Sequence, residues 1–217
     1  VTDRAVPRIC VVGAGAAGLA TIEALLRARI AFRCYERTER VGGHWHTDYR
    51  CLHLITPRDT SGFRDLPMPA SYPLFPSREQ MLAYILGFAE RHDLARHVTF
   101  GTEVVRATPV PGGFRVATSD GAEEDFDGLV VANGHLWDPF VPAVAGEFTG
   151  LQLHSGRYVD PGDVAGRRVL VVGSGNSGCD LAVDCAQAYL DVTVSVRRGH
   201  LFQPKTFAGR PRGELPI

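Results

Sequence analysis

Ile9-Cys10-Val11-Val12-Gly13-Ala14-Gly15-Ala16-Ala17-Gly18, continued by Leu19 to Arg29, is the stretch that decides the fold. Four apolar residues run straight into a glycine turn, and from Leu19 apolar residues recur at helical spacing, so the stretch reads strand, turn, helix. Ala31 to Glu36 is a second strand. A strand, a crossover helix and a following strand form a βαβ unit, which brings a parallel sheet and a right-handed connection.

The pattern returns further along. Val169 to Val172 is apolar, Gly173-Ser174-Gly175-Asn176-Ser177-Gly178 follows, Cys179 to Leu190 has helical spacing, and Val192 to Val196 is a strand. Between the two units, Val41 to Pro76 loses periodicity and gathers Pro57, Pro67, Pro69, Pro73 and Pro76, as expected of an irregular connection laid over the sheet. A helix resumes at Ser77, where Ser77 and Gln80 have the spacing of a capping box and Met81, Tyr84, Ile85 and Phe88 make an apolar stripe. Val98 to Arg106, Gly113 to Thr118 and Phe126 to Ala132 are strand candidates, with turn residues at Pro111-Gly112-Gly113 and Asp120-Gly121. The expected class is α/β, with two Rossmann-like dinucleotide-binding units, parallel sheets and a small antiparallel β-meander. The passage from Pro139 to Gly166 divides the chain into a first domain, 1–160, and a second, 161–217. The second holds one incomplete βαβ unit, so the sequence reads as a fragment or a truncated product.

Composition narrows the function classes. The chain has 217 residues and a formal net charge of -1, with no global bias toward nucleic acid or an anionic membrane. Cys10, Cys34, Cys51, Cys179 and Cys185 are scattered and form no CxxC pair. That speaks for reduced thiols in a cytoplasmic protein, and against a disulfide framework, a zinc site or a dithiol redox centre. No run approaches the roughly 20 apolar residues of a membrane span. The expected partner is a small molecule.

Gly13, Gly15 and Gly18 satisfy GxGxxG. The first glycine permits a tight turn, the second lets the backbone approach a pyrophosphate, and the third lets helix and strand pack closely; the phosphates then face the helix N-terminus. Glu36 ends the next strand, where an acid receives ribose hydroxyls, so this turn suits FAD or NAD. Gly173, Gly175 and Gly178 repeat the spacing, but Arg197 and Arg198 end the strand that follows. Guanidinium groups pair with a 2′-phosphate, so the second turn suits NADP. Two nucleotide sites of opposite ribose chemistry imply a flavoprotein fed by a nicotinamide.

Three further segments join these: Gly42-Gly43-His44-Trp45; Val131-Ala132-Asn133-Gly134-His135 ahead of Trp137 and Pro139; and FxGxxxHxxxY through Phe148, Gly150, His154 and Tyr158. In this order, and over essentially the whole chain, the sequence resembles the flavin-containing monooxygenases. The related Baeyer-Villiger signature normally continues from the histidine to a tryptophan; Tyr158 stands there, which favours the former group. The resemblance implies that Gly13, Gly15, Ala16, Ala17, Gly18, Glu36 and Arg37 bind FAD and that Gly43, His44 and Trp45 approach the flavin. It places Val104 near the adenine, and it has Ala132, Asn133 and Gly134 return the chain to the FAD site. Gly173, Ser174, Gly175, Asn176, Ser177 and Gly178, with Arg197 and Arg198, would bind NADPH. His154 would organise the linker and is not read as a catalytic base.

The implied activity is transfer of one oxygen from dioxygen, through a flavin peroxide, to a small soft nucleophile such as an amine or a sulfide. The protein's share is geometry, electrostatics and water exclusion, and no side chain is nominated as catalytic. One position departs from the family: where many members carry an asparagine near the flavin, this sequence has Ile55, which cannot hydrogen-bond to a peroxide or ribose oxygen. The missing CxxC argues against a disulfide reductase. An NADPH-dependent flavin reductase or oxidase without oxygen transfer stays open, favoured by Ile55, as does a truncated, non-catalytic FAD-binding module. His44, His46 and His53 lack an evident fourth partner, so no metal is expected.

Overall fold

The computed structural model describes residues 7–166 and 168–212. Contacts gather the chain into two units, Val1–His46 with Leu82–His135, and Thr47–Met81 with Leu136–Ile217. This grouping runs through other points than the division at 160/161. The reason is long-range packing: Tyr49, Cys51 and Leu52 share one apolar cluster with Tyr158, Leu181 and Cys185. From Thr47 onward the proline-rich connection, expected over the sheet, belongs to the second unit.

In the first unit, β1 (Arg8–Val12), β2 (Ala31–Tyr35), β3 (Val98–Thr99) and β7 (Gly128–Val131) form a parallel sheet in the order β3-β2-β1-β7. β1 is central, and its Cys10 and Val11 are fully buried. The register sets Val12 opposite Tyr35 on one side and Val131 on the other. Helix α1 (Ala16–Ala28) makes the crossover and buries Leu19 and Ile22. Each such side chain contributes about 1.5–3 kcal/mol through the apolar area it removes from water. Helix α2 (Arg78–Arg91), which runs across the division at Met81/Leu82, opens with the expected capping box: the Ser77 N–H donates to Gln80 Oε1 at 2.9 Å and the Gln80 N–H to Ser77 Oγ at 3.3 Å. Its stripe of Met81, Tyr84, Ile85 and Phe88 is buried.

The meander is β4 (Val104–Val110), β5 (Gly113–Thr118) and β6 (Glu123–Phe126), antiparallel throughout. Two expected strands are each broken in two. Val98 to Arg106 splits at Gly101, whose φ of 62° turns the chain from the parallel sheet into the meander. Phe126 to Ala132 splits at Asp127, which takes the Arg8 N–H on its carboxylate (2.7 Å) and donates its own N–H to Arg8 O (2.9 Å). Apolar continuity does not say which sheet a residue joins. Val116 and Phe126 of the meander pack on Cys10 and Tyr35 of the parallel sheet.

In the second unit, β8 (Arg168–Val172), α3 (Asn176–Gln187) and β9 (Asp191–Ser195) form the second βαβ, with Val172 opposite Ser195. β10 (Thr206–Phe207) and β11 (Arg210–Pro211) make a short antiparallel ribbon. Among the described residues β8 and β9 pair only with each other. No helix there is long and apolar enough to cross a membrane.

Candidate functional site

The first glycine turn follows β1, and the Gly13 N–H closes it on Tyr35 O at 2.8 Å. Gly13 has φ +99°, and a Cβ there would stand 2.6 Å from Ala132 O; a Cβ on Gly18 would stand 1.9 Å from Gly13 O. The protein's own backbone demands both glycines. Gly15 is different. Its φ of -76° suits any residue, and a Cβ would meet only Gly43 Cα, at 3.8 Å. Nothing in the protein requires glycine at that point, so the bare backbone there is room for a group to approach. Gly15 is also the N-cap of α1, with no side-chain cap and no acid in the first turn. Its uncapped N–H groups and the positive end of the helix dipole fit a pyrophosphate.

The segment Gly42 to Trp45, expected near the flavin, is fixed to this turn. The Gly42 N–H donates to Ala14 O at 3.0 Å, and Gly43, at φ +62°, brings its backbone against Gly15. The short helical turn Gly43–His46 is held by His46 Nε2, 2.8 Å from Val41 O, while the His44 and Trp45 rings lie 4.9 Å apart. The Ala132 N–H donates to Val12 O at 2.8 Å, so Ala132 and Asn133 run over Gly13. Gly134 follows at φ +74°.

Glu36 is buried, at 7% exposure. Its Oε2 accepts the Ala14 N–H (2.8 Å); its Oε1 accepts the Thr38 N–H (3.0 Å) and hydroxyl (2.8 Å). A carboxylate has about four acceptor positions, so Oε2 keeps one for a further donor such as a ribose hydroxyl. The Glu36 N–H donates to Thr99 O, and Glu36 O accepts the Thr102 N–H. Val104 begins β4 two residues later, half-buried against the Cys10 cluster. Arg37 is exposed beside the acid. Cys34, next to Gly13 O, has its thiol pushed up to about 12 by burial, with the Glu36 charge adding to the effect. Sequence reasoning missed Thr38 and Ala14 as the partners that orient Glu36. The signal for Thr38 was a hydroxyl two residues after the acid.

The second turn repeats the construction at a constant offset of 160 residues. The Gly173 N–H closes on Ser195 O at 2.9 Å, Gly173 has φ +108°, and a Cβ on Gly178 would stand 2.5 Å from Gly173 O. Gly175 caps α3 with no side-chain cap, and a Cβ there would meet nothing within 4 Å. Ser174, Asn176 and Ser177 lie on this turn and the first residues of α3. The register refines the charge comparison. Val12 faces Tyr35 as Val172 faces Ser195, so the position of Glu36 is taken by Val196, that of Arg37 by Arg197 and that of Thr38 by Arg198. The acid is lost, and two exposed guanidinium groups follow directly. Both changes suit a 2′-phosphate, which an acid would repel and guanidinium groups would pair with.

His154 acts locally. Its Nδ1 accepts the Gly156 N–H at 3.0 Å and caps the turn Ser155–Arg157, which delivers Tyr158 into the core. Ile55 is 55% exposed on the proline-rich connection.

Comparison with known proteins follows the same lines. The model of the family described as FMO-like, flavin-binding monooxygenase-like, matches residues 6–210. Dimethylaniline monooxygenase [N-oxide-forming] 2 of Macaca mulatta is 32% identical in an alignment 214 residues long that covers 88% of this chain and 40% of that protein. A mutant of the flavin monooxygenase from Stenotrophomonas maltophilia superposes with a TM-score of 0.83 at 28% identity, over 93% of this chain and 60% of that one. A mutant cyclohexanone monooxygenase from Rhodococcus sp. Phi1, bound to NADP+, gives a TM-score of 0.72 at 26% identity, over 88% and 38%. The chain thus spans less than half the length of the curated relative it matches.

Proposed function

We propose, from the premise that this chain belongs to the flavin-binding monooxygenase-like family, that it binds FAD at its first glycine turn and NADPH at its second. In this reading it serves the transfer of one oxygen atom from dioxygen to a small soft nucleophile, an amine or a sulfide. The observation that carries this is the pair of turns in equivalent register, one followed by buried Glu36 and the other by Val196, Arg197 and Arg198. FAD held there would supply the redox chemistry between NADPH and dioxygen. The chain's residues bind and orient. Gly15 and Gly175 admit the two pyrophosphates, Glu36 receives the FAD ribose, and Arg197 and Arg198 receive the 2′-phosphate of NADPH. The turn Gly43–His46, fixed on Gly15, brings Trp45 toward the flavin. The unpaired thiols agree with a reducing, cytoplasmic compartment.

Ile55 favours a second reading, an NADPH-dependent flavin reductase or oxidase without oxygen transfer, because an apolar side chain holds no polar oxygen. One experiment separates the two. Flavin-loaded protein is mixed with NADPH without oxygen, dioxygen is then admitted, and a sulfide substrate is assayed for sulfoxide. Flavin bleaching followed by sulfoxide formation is expected. Bleaching and reoxidation with no oxygenated product would give the second reading, and no retention of flavin would sink both.

A further inference from the structure

Tyr49 belongs to neither glycine turn, yet its hydroxyl reaches the helix that carries the second. Ser177, Asp180, Asp184 and Cys185 recur at i, i+3, i+7 and i+8 and so line one side of α3. Two buried tyrosines stand on that side. The Tyr158 O–H donates to Asp184 Oδ2 at 2.7 Å, with Cys185 Sγ 3.5 Å away. The Tyr49 O–H donates to Asp180 Oδ2 at 3.1 Å, and Ser177 Oγ lies 3.5 Å from the same hydroxyl. A phenol has one proton, and the carboxylate is the stronger acceptor, so the serine hydroxyl meets the phenol oxygen with its own proton. Asp180 and Asp184 are like charges one turn apart, an arrangement that destabilises a helix. The two phenols offset that cost.

The two tyrosines do not act at the same place. Asp184 is near the C-terminal end of α3, whereas Ser177 is the second residue of the helix, inside the uncapped turn that follows Gly175. We propose that Tyr49 is a positioning residue for the second nucleotide. By holding Ser177 and Asp180 it fixes the first turn of α3, so that the backbone N–H groups there stay aimed at the pyrophosphate. This rests on the reading that the second glycine turn binds NADPH. Tyr158, with the same chemistry at the far end of the helix, anchors the fold alone.

The test titrates the FAD-loaded protein with NADP+ and, separately, with NAD+ by calorimetry, and records thermal melting for each variant. Tyr49→Phe raises Kd about tenfold for both nucleotides, because the pyrophosphate is common to them. Tyr158→Phe lowers Tm at least as far and leaves both Kd values within about twofold. Asp180→Asn, which keeps a weaker acceptor, shifts Kd in the same direction by a smaller factor and serves if Tyr49→Phe does not fold. Unchanged affinity in Tyr49→Phe, or a loss in both tyrosine variants that simply follows Tm, would overturn the proposal. If the unsubstituted protein binds neither nucleotide, the reading of the second turn fails first and the proposal falls with it.

Discussion

The first βαβ unit lies in a four-stranded sheet whose central strand is buried at Cys10 and Val11, whereas in the second unit Leu170, Val172 and Val194 are 61, 74 and 41% exposed on a pair of strands. Both nevertheless close their glycine turns with the same hydrogen bond, Gly13 to Tyr35 O and Gly173 to Ser195 O. The shape of the turn is therefore a local property of strand, glycine and helix start. What differs is a second wall: Ala132, just past β7, and Gly42 and Gly43 of the connection lie against the first turn, while positions 173 and 175 are open.

That difference makes the glycines unequal, and substitution exposes it. Gly18→Ala puts a methyl group 1.9 Å from the backbone oxygen of Gly13. Such overpacking has no rotamer escape, so a loss of about 3 kcal/mol is expected in urea unfolding, with FAD lost from the purified protein. Gly15→Ala meets only a distant neighbour. Its stability shifts by less than about 1 kcal/mol, yet FAD retention is lost because the methyl occupies the approach to the pyrophosphate. Equal stability losses in the two variants would break the distinction between a glycine the protein needs and a glycine the ligand needs.

The acid and its absence can be exchanged next. Val196→Glu restores in the second unit the residue that the register matches to Glu36. NADP+ affinity should fall at least about tenfold, some 1.4 kcal/mol, through repulsion of the 2′-phosphate, while NAD+ affinity holds or rises. Equilibrium titration with both nucleotides checks this; equal loss for the two would mean that the position does not face the ribose.

Much of this was legible in the sequence because it is local. Glycine spacing, the strand ahead of it and the helix behind it all lie within one βαβ unit, and the capping box at Ser77 and Gln80 lies within one turn. What escaped is non-local. Whether Phe126 and Leu129 share a strand depends on Asp127 finding Arg8, 119 residues away. That Val196, not Arg197, matches Glu36 was within reach of the 160-residue offset between the two glycine turns, and the strand register gives the same pairing. Tyr49 could not be linked to Ser177, 128 residues away, by any periodicity.

Buried protons give the finest comparison of the two units. Burial pushes the thiols of Cys10 and Cys34 in the first unit, and of Cys51 in the second, from an ordinary 9.0 up to about 12. Burial likewise lifts Tyr49 from 10.0 to about 12, with Asp180 adding to the rise and Ser177 opposing it. A group whose folded value is raised stays protonated in the native state while the unfolded chain releases its proton. The unfolded state then binds fewer protons, and stability falls as pH rises. The contribution is complete below about pH 9 and is lost progressively toward pH 12. Melting temperatures should therefore hold level up to about pH 9 and decline above it. Tyr49→Phe should flatten the decline only above about pH 10, where the phenol begins to titrate in the unfolded chain, and Cys34→Ala should flatten it from about pH 9. A melting temperature that stays level to about pH 11 would mean that these groups titrate alike in the folded and unfolded chains.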